Sequence, residues 1–181
     1  MSTEPSSIQS STAELNTAES ITAQAGPARP GEGAVVGGGN TLTITRMFEA
    51  PRDLVFQAWT DPDQLTQWWG PEHLHTPRES VTVEPHVGGT WAATMVMDDG
   101  GQEFPTSAKF TSIDPPNGFV LHDEPNEFFP FASQLRVDFE EVGGGTRMTI
   151  VQHFDIESFD FCDSILGWGT SLEKLRRLLA V

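Results

Sequence analysis

The chain has 181 residues, 26 of them acidic and 10 basic, which gives a formal net charge of -16 at neutral pH. This length suits one domain with a substantial core. So negative a surface repels nucleic-acid phosphates and anionic membranes, and we expect neither a nucleic-acid partner nor membrane insertion. The single cysteine, Cys162, excludes an internal disulfide, and no apolar run approaches the roughly 20 residues of a membrane span. These features predict a cytoplasmic protein.

Residues 1–40 form a low-complexity segment dominated by Ser, Thr, Ala, Gly and Pro, without an aromatic residue. Such a segment buries too little apolar surface to offset the entropy lost on ordering. We predict a disordered tail over residues 1–40, with a peptide that folds on a partner as the alternative. The folded domain is predicted over residues 41–181.

The composition changes at Thr41, where "TLTITRMF" alternates apolar and polar residues as a half-buried strand does. Two short helices are predicted next. Pro51 suits the start of the first helix, and Asp61 caps the second, which Pro62 begins. The two helices carry the closely spaced tryptophans Trp59, Trp68 and Trp69.

Strand-like segments separated by turn signals follow: "ESVTVEP", "TWAATMVM", "TSAKFTSID", "GFVLHDE", "SQLRVDFEE" and "TRMTIVQHF". The last segment has apolar residues at positions 165, 168, 172, 175 and 179, the spacing of one helical stripe. An antiparallel sheet of this size has an apolar face to cover, and only the last helix is long enough to cover it. The sequence therefore predicts an α+β fold.

Several motifs together resemble the family of activators of heat-shock-protein-90 ATPase homologues, in the START-like (SRPBCC) superfamily. They are "MFEAPRDLVFQAWTDPDQLTQWWGP", "GGTWAATMVMDDGG", "FTSIDPPNGFVLHDE", "GGGTRMTIVQHF" and "GWGTSLEKL". The resemblance implies a helix-grip fold, in which a curved antiparallel sheet of about seven strands wraps round a long C-terminal helix and leaves a cavity. Superfamily relatives bind lipids, hormones or polyketides, and some are cyclases. The namesake co-chaperone stimulates a chaperone ATPase, and its separate chaperone-binding N-terminal domain has no counterpart in the short, polar tail.

Strand alternation and helix faces select the side chains expected to line such a cavity. Adjacent residues on a helix point about 100° apart, so one of Trp68 and Trp69 is expected in the core and the other at the cavity mouth. Gln152 is a polar member of an apolar row, so it bonds either a neighbour or a ligand. His122 shares a face with Val120 and is expected to point inward. The candidate ligand-binding residues are Trp68, Trp69, Trp91, Met95, Phe110, His122, Leu135, Val137, Met148, Ile150, Gln152 and Trp168.

Other chemistry is weakly indicated. His73 and His75 in "EHLH" lack the further ligands of a metal site, so a solvated loop is the better interpretation. A helix start lowers the pKa of a thiol, but Asp160 and Asp163 would oppose this at Cys162. We identify no catalytic residue and expect no metal and no cofactor.

The leading hypothesis is a domain that binds an apolar or aromatic small molecule, oriented by His122 or Gln152. A co-chaperone-like module with a protein partner is the alternative. A cyclase- or hydrolase-like enzyme is the third, and it would need an inward acid or base with a perturbed pKa. The sequence leaves the oligomeric state undetermined.

Overall fold

The computed structural model describes residues 33–127, 130–158 and 160–180. Residues 1–32 of the tail predicted over residues 1–40 lie outside this range. The elements, in chain order, are β1 (Val35–Gly38), β2 (Thr41–Phe48), α1 (Arg52–Thr60), α2 (Pro62–Trp68), β3 (Leu74–His75), a 3-10 turn (Arg78–Ser80), β4 (Thr82–Val83), β5 (Thr90–Met97), β6 (Glu103–Asp114), β7 (Gly118–Asp123), β8 (Ser133–Val142), β9 (Gly145–Phe154) and α3 (Cys162–Leu179).

The strands form one antiparallel sheet of nine strands in the order β1-β2-β9-β8-β7-β6-β5-β3, with β4 also paired to β5. Long hairpins build its centre, and the β8–β9 ladder runs from Ser133↔Phe154 to Val142↔Gly145. The turn of this hairpin needs positive φ, which Gly143 and Gly144 supply with φ of 61° and 86°. The α+β helix-grip prediction is confirmed, with nine strands where about seven were expected.

Strand β1 differs from the sequence-based prediction, which assigned its residues to the tail. It pairs with β2 from Val35↔Ile44 to Gly38↔Thr41. Gly39 takes a φ of 60° in the two-residue turn between the strands, the conformation that hairpin turns of this length require. An edge strand is held mainly by backbone hydrogen bonds, so its glycine-rich sequence gives little side-chain signal.

The core lies between the concave face of the sheet and the three helices. From the sheet, Leu42, Ile44 and Ile150 are almost fully buried, and from α3 Leu172 and Leu175 are. Helix α1 packs over one end of this face, where the ring of Phe56 lies 5.8 Å from that of Phe139 and 6.3 Å from that of Phe119. The other end, below the first half of α3, is not filled.

Candidate functional site

A cavity of about 600 Å³ lies between α3 and the unfilled end of the sheet. One wall comes from α3, with Gly167, Trp168 and Ser171. Strands β5 to β9 and the segment after α2 supply the others. The cavity arises because α1 covers only one end of the concave face and α3 spans the rest.

Three tryptophans form the aromatic wall of the cavity: Trp69, Trp91 and Trp168. The ring of Trp69 lies 4.6 Å from that of Trp91 and 5.5 Å from that of Trp168, both nearly perpendicular. Edge-to-face packing at these distances is favourable. The tryptophans therefore hold one another in place while each still borders the cavity.

The indole nitrogens of the aromatic cluster are not all satisfied. Trp68 Nε1 donates to the Ala58 carbonyl at 2.8 Å, and Trp91 Nε1 donates to the Trp59 carbonyl at 3.2 Å. Trp59 Nε1 and Trp69 Nε1, by contrast, are shielded from solvent and have no acceptor within hydrogen-bond distance among the described residues. Trp59 does not line the cavity, and neither nitrogen presents accessible surface to it, so the two unpaired donors belong to the packing of the aromatic cluster.

Phenylalanine, aliphatic and sulfur-containing side chains complete the apolar lining, the phenylalanines being Phe104, Phe131 and Phe154. Met95 and Met97 come from β5, Leu121 from β7 and Leu135 from β8. Methionine is unbranched and adapts to guests of different shape. The lining is thus apolar over most of its area, with a few polar groups between.

Asp123 is the most buried of the carboxyl groups in the cavity wall. It lies at the end of β7, and Ser133 Oγ on β8 donates to its Oδ2 at 3.1 Å. Burial raises the pKa of Asp123, while the hydroxyl of Ser133 and the charge of His122 oppose the rise. Asp123 is an inward acid of the kind that the enzymatic alternative requires.

Gln152 lies in the same wall, and its Oε1 accepts from Trp168 Nε1 at 3.2 Å. Of the two partners that the sequence left open for this amide, the structure shows the neighbour. The bond joins β9 to α3 across the cavity and fixes the plane of the indole ring.

Exposed carboxylates stand at the rim of the cavity. They are Glu124, whose side chain is 83% exposed, and Asp160 and Asp163 at the start of α3. The pKa of Asp160 is lowered because the backbone N–H of Cys162 donates to its Oδ1 at 3.0 Å. The rim is therefore negatively charged at neutral pH.

Lys174 ties α3 to the segment that follows α2. Its ammonium donates to the carbonyls of Gly70, Pro71 and Leu74, each at 2.9 Å. Burial lowers its pKa, and the charges of Asp98 and Glu72 oppose this. We call this arrangement the Lys174 clamp, and all three of its carbonyl-bearing residues line the cavity.

Six of the predicted site residues lie in the cavity wall, at the expected interface of sheet and last helix. They are Trp69, Trp91, Met95, Leu135, Gln152 and Trp168.

Five other predicted residues are packed in the core, away from the cavity. They are Trp68, Phe110, Val137, Met148 and Ile150, none of them more than 1% exposed. Strand alternation identified the correct face for the strand residues but not their position along it, and α1 fills the part of the face where Val137, Met148 and Ile150 lie.

His122 differs from the expectation, because it lies on the outer face of the sheet. Leu121 and Phe119 on β7 are buried, so Val120 and His122 point the other way. The Nε2 of His122 is 3.6 Å from Glu124 Oε1. The predicted phase of β7 is therefore wrong by one residue. In the correct phase Asp123 points inward and lines the cavity, and the sequence pattern does not identify it.

The remaining candidates sit outside the cavity. The exposed His75 bonds Asp98 through Nδ1 at 2.9 Å, and no group of three potential metal ligands occurs among the described residues. Cys162 is exposed, and the hydrogen bond and charge of Asp160, with the charge of Asp163, raise the pKa of its thiol. The predicted effect of these two aspartates on Cys162 is confirmed.

Within the described residues, no helix combines the length and the hydropathy that a membrane crossing needs. No curated protein matches the chain. Solved structures do match it. A protein from Chromobacterium violaceum superposes with a TM-score of 0.72 at 22% identity, over 78% of this chain and 98% of that one.

Two further structures agree. A protein from Mycobacterium smegmatis is 28% identical with a TM-score of 0.67, over 82% of this chain and 96% of its own. The AHSA1 protein from Silicibacter pomeroyi is 28% identical with a TM-score of 0.61, over 77% of this chain and 97% of its own. A sequence model of the family described as Activator of Hsp90 ATPase homolog 1-like protein matches residues 49–180. Both the match over most of the chain and the START-like helix-grip architecture lead to one conclusion: the chain belongs to the Activator of Hsp90 ATPase homolog 1-like family.

Proposed function

We propose that the protein binds an apolar or aromatic small molecule in the cavity between the sheet and α3. The observation that carries the proposal is the cavity itself, about 600 Å³ with three tryptophans in its wall. Ligand pockets typically measure about 300–1,000 Å³ and combine an apolar lining with a few placed polar groups. An interior that served only for stability would be packed more tightly, because proteins leave few voids larger than a water molecule.

The ligand-contacting residues in this proposal are those of the predicted set that line the cavity, joined by Leu121 and Asp123. The aromatic surface of Trp69 and Trp168 suits an apolar body, and the almost fully buried Trp91 packs behind Trp69. The Gln152–Trp168 bond holds one wall in place, which lowers the entropy lost on binding.

The test uses Nile red, a neutral dye whose fluorescence rises in apolar sites. We expect saturable binding of about one dye per chain. Met95→Trp places extra volume in the cavity and should weaken dye binding about tenfold or more. Met47→Trp, on β2 and away from the cavity, is the matched control and should bind as the parent does. Equal dye affinity in both variants would contradict the proposal.

The family match supports a second candidate, a module that acts on a chaperone ATPase. In this alternative the exposed Leu166 on α3, which is 69% exposed, is a surface contact, whereas the fully buried Trp68 is not. The test is the ATPase rate of purified Hsp90 with increasing amounts of the protein. A rate that rises for the parent and not for Leu166→Glu would favour this candidate, and an unchanged rate would reject it.

A further inference from the structure

The charged groups in the cavity wall are all of one sign. They are Asp123, Glu124, Asp160 and Asp163, and no Lys, Arg or His lies among the described lining residues. Asp123 lies farthest inside, and the other three stand at the rim. A carboxylate that is partly desolvated and has no cationic partner in its own wall is electrostatically costly.

The lysine that ties α3 to the cavity border does not balance this charge. Lys174 donates its three ammonium protons to the carbonyls of Gly70, Pro71 and Leu74, so none is left for Asp123. The cationic group that acts on Asp123 is His122, which lies on the outer face of the same strand. Inside the cavity the carboxylate faces no positive group among the described residues.

The carboxylate of Asp123 also has free capacity for hydrogen bonds. A carboxylate accepts at about four lone-pair sites, and the Ser133 hydroxyl uses one, on Oδ2. The Ser133 bond fixes the orientation of the group, so that a donor entering the cavity meets a preoriented acceptor.

The aromatic wall favours the same kind of guest. An indole face attracts a cation within about 6 Å more strongly than other aromatic rings do. Trp69, Trp91 and Trp168 border the same space as Asp123.

We infer that the ligand is a cationic amphiphile, with an apolar or aromatic body held against the three tryptophans and a protonated amine bonded to the Asp123 carboxylate. This inference rests on the proposed binding function and specifies its ligand class. Fatty acids, phosphate esters and other anions are excluded by the same charges, because they would add a negative group to a wall that has no cation. A partly desolvated amine–carboxylate bond of this kind should favour the amine over a neutral analogue by about tenfold or more.

The experiment compares three probes with one naphthyl body: 2-(1-naphthyl)ethylamine, 2-(1-naphthyl)ethanol and 1-naphthylacetate. Affinities are measured by isothermal titration calorimetry at pH 7. We expect the amine to bind tightest, the alcohol about tenfold more weakly and the acetate weakest. A protein with a charge of -16 attracts any cation to its surface. The affinity for the amine must therefore also fall in Met95→Trp, which narrows the cavity, because only binding inside the cavity is sensitive to that change.

Two variants test the assigned carboxylate. Asp123→Asn keeps the acceptor for Ser133 but removes the charge. The affinity for the amine should then fall to within about twofold of the affinity for the alcohol, and the affinity for the alcohol should stay unchanged. Asp138→Asn makes the same charge change on the outer face of β8, where Asp138 pairs with Arg136, and it should retain the amine preference.

The outcomes separate the two proposals. If the alcohol binds in the cavity but the amine binds no tighter, or the acetate binds best, the cationic ligand class is wrong while the binding function stands. An amine preference that survives Asp123→Asn overturns the role of that carboxylate. If none of the three probes binds while Nile red still binds in the cavity, the cationic ligand class is wrong and the binding function stands. If Nile red does not bind either, the binding function and the inference fall together.

Discussion

At the scale of single residues, Asp123 combines a cost in stability with the binding role that we propose for it. It is ionisable, partly buried and held by one hydroxyl, and burial raises its pKa. A residue selected for stability alone would be apolar or amide at such a position, because an unpaired carboxylate resists burial. We therefore interpret Asp123 as a residue kept for what enters the cavity.

This cost predicts a pH-dependent stability. Below the ordinary carboxyl pKa of about 3.9, Asp123 is neutral in both states and carries no penalty. As the pH rises above that value, the unfolded chain ionises first, so the penalty on the folded state grows and reaches its full size above the raised pKa of the folded state. Asp123→Asn should therefore gain stability relative to the parent between about pH 4 and pH 7, with little difference in more acidic solution. Urea unfolding at a series of pH values measures this.

Ser133→Ala tests the hydrogen bond that supports the Asp123 carboxylate. It removes the hydroxyl that donates to Asp123 Oδ2, so it should lower stability at pH 7 by about 1–3 kcal/mol and less in acid. A stability difference between Asp123→Asn and the parent that stays constant with pH would contradict the assigned cause.

The residue scale also shows what sequence alone can resolve. The two neighbouring tryptophans were expected to separate, and the structure places Trp68 in the core and Trp69 in the cavity wall, but helix geometry did not say which went where. On β7, Val120 and His122 alternate with Phe119 and Leu121, so both phases offer an apolar residue. Only the packing of the helices on the sheet decides between them.

At the scale of elements, the two short helices depend on the residue that joins them. Asp61 ends α1 and caps α2, accepting through Oδ1 from the backbone N–H of Asp63 at 2.8 Å and of Gln64 at 3.4 Å. Pro62 begins α2 without needing a donor. The cap positions Trp68 and Trp69 at the far end of α2, so it acts indirectly on the cavity wall.

Removing this cap should have a defined effect. Asp61→Ala leaves two backbone N–H groups without their acceptor and should destabilise the protein by about 1 kcal/mol. Asp61→Asn retains the acceptor and should lie close to the parent. The free energy of unfolding in urea distinguishes them. Equal losses in the two variants would mean that the charge of Asp61, and not its hydrogen bonds, supports the helix.

The elements that sequence predicted are those with strong periodicity. The long strands β5 to β9 and the C-terminal helix carry clear two-residue or three-to-four-residue patterns and were found within a few residues. The short strand β3 and the glycine-rich β1 have two and four residues, too few for a pattern. The predicted strand segment "ESVTVEP" contains β4, but only Thr82 and Val83 pair as a strand, and its first residues belong to the 3-10 turn. Their pairing depends on the neighbouring strand, which is tertiary information.

At the scale of the whole molecule, the charge of -16 opposes the compact state. Carboxylates at the cavity rim add to a surface already rich in like charges, and mutual repulsion destabilises a folded chain. Screening by salt weakens this repulsion over about 10 Å at 0.1 M ionic strength.

Added salt should therefore stabilise the protein. Raising sodium chloride from about 0.05 to about 0.5 M should increase the free energy of unfolding at pH 7 by on the order of 1 kcal/mol. Near pH 4.5 many carboxylates are protonated, and the increment should shrink. A salt effect of equal size at both pH values would show that repulsion between carboxylates is not its source.

The fold as a whole could be predicted because the order of elements and the apolar faces permit few arrangements. The position of the cavity could not, because it depends on volumes. Phe56 on α1 and its neighbours fill one end of the sheet, while the smaller Gly167 and Ser171 on α3 leave the other end open. Such a sum of side-chain sizes across distant segments is not visible in any single stretch of sequence.

The Lys174 clamp has a consequence for the size of the guest. The Lys174 side chain links α3 to the carbonyls of Gly70, Pro71 and Leu74. This border of the chamber can therefore open only if three charge-assisted hydrogen bonds break. Among the described residues the acidic edge lies on another border of the chamber, so we expect a molecule too long for the chamber to extend past that edge into solvent.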